Sequence, residues 1–327
     1  WASKLLFVIN IYIDIFYKAV SLTITEYSHY VMGTHSKELR RKGIILAGGN
    51  GSRLAPITHA ISKQLVPIYD KPMIFYPLTT LLLTGIRDFL IITRSEDKNL
   101  FEKLFGDGER LGISIKYEVQ KNPDGIAQAF LIGENFLAGA SVVLILGDNL
   151  FHGNELTKQL KKANKNNLGA TIFAYPVSDP ERYGIVEFDN NNIAKNIEEK
   201  PRNPKSNNAI TGIYFYDSSV ANKAKKIKPS DRGELEITSI NKLYLEEGTL
   251  NVEKMSRGMA WLDTGTFDSL HEAGSYIKTL ENRQGLKIGC PEEAAWRNGW
   301  ISNSQLENLA NPLMKNSYGK YLLQLLE

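Results

Sequence analysis

The apolar run Gly43-Ile44-Ile45-Leu46 leads directly into Ala47-Gly48-Gly49-Asn50-Gly51. An uninterrupted apolar run this short reads as a strand buried on both faces, and the glycines after it mark a tight strand-to-helix turn. The same alternation then repeats along the chain. Helical apolar spacing over 77–84 precedes a buried strand at 89–93, a helix over 99–105 precedes a strand at 114–119, and a helix over 126–136 precedes the apolar strand 142–146, which Gly147-Asp148 closes. This pattern predicts an α/β fold: a doubly wound, mostly parallel, Rossmann-like sheet with helices on both faces and a site at the carboxyl ends of its strands.

After Asp148 the character changes. Short segments at 170–177, 184–188, 193–198 and 210–216 are rich in β-branched and aromatic residues, as expected of extra strands around a sugar-sized pocket. A helix follows over 270–280, and the rest is a helical tail punctuated by Pro291, Gly299, Pro312 and Gly319. The organisation expected is an N-terminal extension (1–42), a main domain (43–280) and a C-terminal helical segment packed on the core (281–327). In the extension, Leu5 to Ile13 is apolar except for Asn10, but Asp14 and Lys18 cut it short of the roughly 20 residues of a membrane helix. Lys4 before it is not followed by a small-residue cleavage site. Met32, with Gly33 to Lys42 after it, reads as a natural start, and the extension as a segment with no part in the chemistry.

Composition narrows the partners. With 39 Lys+Arg against 36 Asp+Glu the net charge is only +3, too little for a general nucleic-acid binder. Lys161-Lys162 and Lys223 to Lys228 read as solvated helix faces. The single cysteine, Cys290, cannot form an internal disulfide, which fits a reducing cytoplasm and excludes a thiolate zinc site within the chain. The five histidines lack metal-ligand spacing, and no serine or cysteine stands in a nucleophile motif.

The glycine loop is suited to phosphate: Gly48, Gly49 and Gly51 let backbone N–H groups approach an anion, Ser52 adds a hydroxyl, and Arg53 adds a charge-assisted fork. It is neither a P-loop, since no Gly-Lys-Ser/Thr ends it, nor a dinucleotide fingerprint, since Leu54 stands where the last small residue belongs. Asp148 ends an apolar strand, and Asp263 lies in the turn Trp261-Leu262-Asp263-Thr264-Gly265. Taken singly, such an Asp suits a turn former or a helix N-cap.

Pro56, Thr58, Lys63, Pro67 and Lys71-Pro72 extend the loop into one long signature. With Gln120 to Ala129, Leu146 to Asn149, Pro180 to Gly184, Glu198 to Pro201, Gly233 to Thr238 and Trp261 to Thr266, it resembles the sugar nucleotidyltransferases from Lys42 to the end. The tail run Leu280 to Lys287 with Cys290 to Glu293 is particular to the thymidylyl branch, the glucose-1-phosphate thymidylyltransferases. Ser52 departs from the family's usual Thr but keeps the hydroxyl.

The resemblance implies that 43–280 is a nucleotidyltransferase domain. The activity implied is transfer of a thymidylyl group from dTTP to α-D-glucose 1-phosphate, giving dTDP-glucose and pyrophosphate at the start of a deoxysugar route such as that to dTDP-rhamnose. By it, Arg53 and Lys63 hold the triphosphate, Lys200 holds the sugar phosphate, and Asp148 and Asp263 hold Mg²⁺. Leu46, Gly48, Gln120 and Gly125 read the base, with Gln120 able to offer both a donor and an acceptor. Asn149, Tyr183, Gly184, Glu199, Ile210 and Trp261 meet the sugar. It also implies a homotetramer with a second nucleotide site between subunits, where Arg257 meets an inhibitory dTDP-sugar end product. The alternatives are a UTP-dependent sugar nucleotidyltransferase and a non-catalytic regulator that binds sugar nucleotide.

Overall fold

The chain's strands are β1 (Lys42–Ala47), β2 (Pro67–Ile68), β3 (Lys71–Pro72), β4 (Asp88–Thr93), β5 (Ser114–Val119), β6 (Val142–Leu146) and β7 (Asn149–His152). They continue with β8 (Ala170–Pro176), β9 (Gly184–Phe188), β10 (Ala194–Glu199), β11 (Asn208–Tyr216), β12 (Leu250–Lys254) and β13 (Ala260–Asp263). These assignments come from a computed structural model, which describes residues 40–327. The expectations for 1–39 lie outside the described residues.

The central sheet runs in the order β10-β9-β11-β6-β1-β4-β5, with β8 and β12 joined to it through β11. β1 lies parallel to β4 on one side and β6 on the other, with Leu46 opposite both Ile92 and Leu146. β5 continues the parallel half beside β4. β11 runs antiparallel to β6, β8 and β9, so the parallel nucleotide-type half passes into an antiparallel half.

Successive residues of a strand point to opposite faces, and both faces here are apolar. Ile45, Ile91 and Ile145 join a core with the helix Phe75–Leu82 and the C-terminal Leu306 and Leu322. Ile44, Leu90 and Leu144 join a second core with Phe130, Tyr216 and Ile240. Burying each such side chain stabilises the fold by roughly 1.5–3 kcal/mol, so the doubly wound layering follows directly from uninterrupted apolar strands.

Three details differ from the sequence reading. The helix expected over 126–136 is two short helices, Gln128–Ile132 and Glu134–Leu137, meeting at Gly133, where glycine's low helix propensity coincides with close packing on Ile44 and Leu90. Lys223 is not a solvated lysine: it is buried, pairs with Glu247 and lies 4.5 Å from the centre of the Tyr244 ring. Arg41, read as part of the extension, is buried too and donates to the carbonyls of Val142 at 2.9 Å and Tyr216 at 2.7 Å. Among the described residues no helix is long and apolar enough to cross a membrane.

Candidate active site

A cleft of about 340 Å³ opens at the carboxyl ends of β1 and β6. Gly49, Gly51, Ser52 and Arg53 line it, because a single 3₁₀ turn, Ser52–Leu54, sends Leu54 into the core and leaves Arg53 on the wall. A further 3₁₀ turn, Lys63–Leu65, buries most of the Lys63 side chain and brings its Nζ within 2.5 Å of Asp148 Oδ2.

The two carboxylates meet through a small antiparallel pairing. β7 pairs with β13 so that Asn149 faces Asp263, and Thr264 Oγ1 donates to the Asp148 carbonyl at 2.8 Å. Asp148 and Asp263 therefore face the same cleft despite their distance along the chain. Burial works to raise Asp148, but the Lys63 ammonium and the Asn149 amide, 2.9 Å away, hold its carboxyl below the usual range. Burial lifts Asp263 above the usual range; Arg182, 3.2 Å away, pulls the other way, and the charge of Asp148 pushes with the burial.

Two carboxylates thus line one cleft, Asp148 paired with Lys63 and Asp263 with Arg182, and the charge of Asp148 disfavours ionisation of Asp263. That fits a divalent ion holding few protein ligands and several waters or phosphate oxygens. No cluster of three or more acidic, His or Cys ligands that could hold a metal occurs among the described residues.

The opposite end of the cleft is built from the antiparallel half of the sheet. Glu199, at the end of β10, accepts from Thr238 Oγ1, and Arg232 lies 3.5 Å from its other oxygen. Trp261 Nε1 donates to Asn149 Oδ1 at 2.6 Å, and the Trp261 ring packs on Tyr183 with centroids 5.1 Å apart. Gly184 and Ile210 complete this wall, and Lys200 reaches the cleft from the turn after β10.

Gln120 and Gly48 make an adjoining group at the end of β1, where Leu46 also lies. A Cβ on Gly48 would stand 2.2 Å from Gln120 Oε1. The Nε2 of Gln120 is already committed, donating to Gln128 Oε1 at 2.6 Å and to the Gly125 carbonyl at 3.3 Å. The sequence reading allowed Gln120 a free donor; the structure leaves only its acceptor. Arg257 lies outside the cleft, exposed in the turn between β12 and β13.

The cleft also contains Gln64, Arg182, Tyr214, Arg232 and Thr238, to which the sequence reading gave no role. Arg182 and Thr238 stand inside motifs that carry the resemblance, Pro180 to Gly184 and Gly233 to Thr238, which is the available signal for them. Arg232 looks in sequence like any solvated arginine, and only folding turns it toward Glu199.

Residues 42–279 match the model of the nucleotidyl transferase family. The glucose-1-phosphate thymidylyltransferase of Neisseria meningitidis serogroup A is 58% identical over 286 residues, 88% of this chain and 99% of that protein. That of Mycobacterium tuberculosis strain H37Rv is 56% identical with the same coverage of 88% and 99%. A Bacillus anthracis structure described as a glucose-1-phosphate thymidylyltransferase in complex with sucrose superposes with a TM-score of 0.67 at 43% identity, covering 72% of this chain and 94% of that one. A UDP-glucose pyrophosphorylase complexed with UDP-glucose has a TM-score of 0.65 over 74% of this chain and all of its own; at 23% identity it shows shared fold alone. The chain thus belongs to the nucleotidyl transferase family, within its glucose-1-phosphate thymidylyltransferases.

Proposed function

We propose that the protein transfers the thymidylyl group of dTTP to α-D-glucose 1-phosphate, releasing pyrophosphate and giving dTDP-glucose for a deoxysugar route. The observation that carries this reading is one cleft lined at one end by Arg53, Lys63 and two carboxylates, and at the other by Glu199, Asn149, Tyr183 and Trp261.

The sugar phosphate is itself an anionic nucleophile, so no protein nucleophile is required. The obstacle is bringing two anions together and spreading charge at the α-phosphorus, which positioned cations lower. In this reading Arg53 and Lys63 hold the triphosphate, with Gly49, Gly51 and Ser52 offering the loop's donors. Lys200 orients the incoming sugar phosphate, while Glu199 and Asn149 fix the sugar hydroxyls against the Tyr183 and Trp261 rings. Asp148 and Asp263 would hold Mg²⁺, which when bound supplies charge neutralisation for the phosphate oxygens.

Lys63→Ala and Asp263→Asn are each expected to cut turnover by about 10²-fold or more while near-ultraviolet circular dichroism stays native. Pyrophosphate release measured with dTTP, UTP, CTP and ATP, each with glucose 1-phosphate, tests substrate choice. A strong preference for UTP would defeat the thymidylyl assignment, and wild-type turnover in both variants would remove those residues from the chemistry.

The same reading extends to a cytoplasmic homotetramer with a regulatory nucleotide site at Arg257. Gly153, on the rim of a second hollow of about 260 Å³, packs against Met259, two residues along the chain from Arg257. Inhibition by dTDP-rhamnose that is noncompetitive with both substrates, and lost in Arg257→Ala, is the expected outcome; no inhibition across millimolar concentrations would count against it.

A further inference from the structure

Gln120 is 4% exposed, and its backbone is pinned by an N–H bond to the Thr93 carbonyl at 2.8 Å. Its side-chain amide belongs to a short chain of hydrogen bonds with a fixed direction. Gln128 Nε2 donates to Asp124 Oδ2 at 2.9 Å, and Gln120 Nε2 donates to Gln128 Oε1 at 2.6 Å. A carboxylate offers only acceptors. Asp124 therefore takes the NH₂ end of Gln128, which turns the carbonyl of Gln128 toward Gln120, which in turn takes up the NH₂ end of Gln120. The Gly125 carbonyl, also only an acceptor, reinforces the same orientation at 3.3 Å.

What remains is Gln120 Oε1, which accepts no hydrogen bond from the described residues and lies where a Cβ on Gly48 would clash at 2.2 Å. We propose that Asp124 and Gln128 are positioning residues that lock Gln120 with its carbonyl toward the nucleobase, so that the site selects a pyrimidine carrying an N3–H and rejects one whose N3 is a bare acceptor. Thymine and uracil have that donor. Cytosine presents a lone pair there, and two facing acceptors repel while both lose their water. The inference rests on the dTTP reading and deepens it: the relay separates thymine and uracil from cytosine, and leaves the choice between thymine and uracil to other contacts.

The test measures kcat/KM for dTTP, dUTP and dCTP, which share one sugar, with glucose 1-phosphate. Gln128→Met removes the acceptor that holds the amide. It should lower the dTTP:dCTP ratio about tenfold, the worth of one hydrogen bond's polarity, mainly through a lower KM for dCTP. Asp124→Asn keeps the shape but lets the chain run in either direction. It should lower that ratio about threefold, less because Gln128 can still present its carbonyl to Nε2. The dTTP:dUTP ratio should not move in either variant. A fall in all three nucleotides together would make the relay merely structural, and an unchanged dTTP:dCTP ratio in both variants would overturn the proposal. Failure of the wild-type protein to use dTTP would instead overturn the function on which the proposal rests.

Discussion

Lys200 holds a φ of 42°, in the left-handed region that costs a residue with a Cβ about 1 kcal/mol. Its N–H donates to the Tyr183 carbonyl at 3.0 Å, which ties the turn to the wall of the cleft and keeps the backbone in that conformation. A strained position occupied by lysine, where glycine would sit without penalty, points to a requirement for the side chain. Lys200→Gly is therefore expected to melt no lower than the wild type while turnover falls by about 10²-fold, the usual effect of removing one preorganised donor to a reacting oxyanion. Lys200→Ala should lose turnover equally without the gain in backbone freedom. Differential scanning calorimetry alongside initial rates checks both, and full turnover in Lys200→Gly would take the ammonium out of the chemistry.

Between residue and fold, β11 carries the sugar end of the cleft through an irregularity. Its register against β8 shifts between Ile210 and Tyr214, and Gly212 lies in that interval. A Cβ on Gly212 would come within 2.3 Å of Asn149 Oδ1, the atom that accepts the Trp261 indole N–H. Gly212→Ala should push Asn149 aside, release the indole and raise KM for the sugar phosphate about tenfold, with KM for dTTP nearly unchanged. Equal increases for both substrates would contradict that division of the cleft. The same element shows where sequence reading stops. β1, β4 and β6 were legible because apolar runs buried on both faces have no other stable place, and Asp148 was legible because it ends one of them. β7 and β13 are four residues each and pair across a long stretch of chain, so no local period announces them. Motif resemblance put Asp263 with Asp148, whereas Arg232 enters the cleft only through tertiary folding, and the direction of the Gln120 amide depends on Gln128 and Asp124.

At the scale of the whole molecule, the C-terminal segment is fastened to the hairpin β2–β3 by an ion cluster. Lys71, 3% exposed, lies 2.5 Å from Asp70 and 2.8 Å from Glu281, and Lys287 bonds to Asp70 and to Glu281. Burial opposes both charges. Bonds from Lys287 and Lys71 nevertheless hold the Asp70 carboxyl below its ordinary value of 3.8, and bonds to Asp70 and Glu281 hold the Lys287 ammonium above its ordinary 10.5. A carboxyl with a lowered folded value contributes stability that is complete above 3.8 and is lost as the pH falls from there through the folded value. An ammonium with a raised folded value contributes stability that is complete below 10.5 and is lost as the pH rises from there through the folded value. Lys287→Met should therefore lower unfolding stability by about 1–2 kcal/mol across neutral pH, since the cluster is only partly buried. In urea titrations at fixed protein concentration, the difference from wild type should stay flat between about pH 5 and 9 and shrink toward both extremes. A difference of the same size at acid, neutral and alkaline pH would mean that Lys287 stabilises the tail by packing alone, and that its charge does not bind the C-terminal helices to the hairpin that follows Lys63.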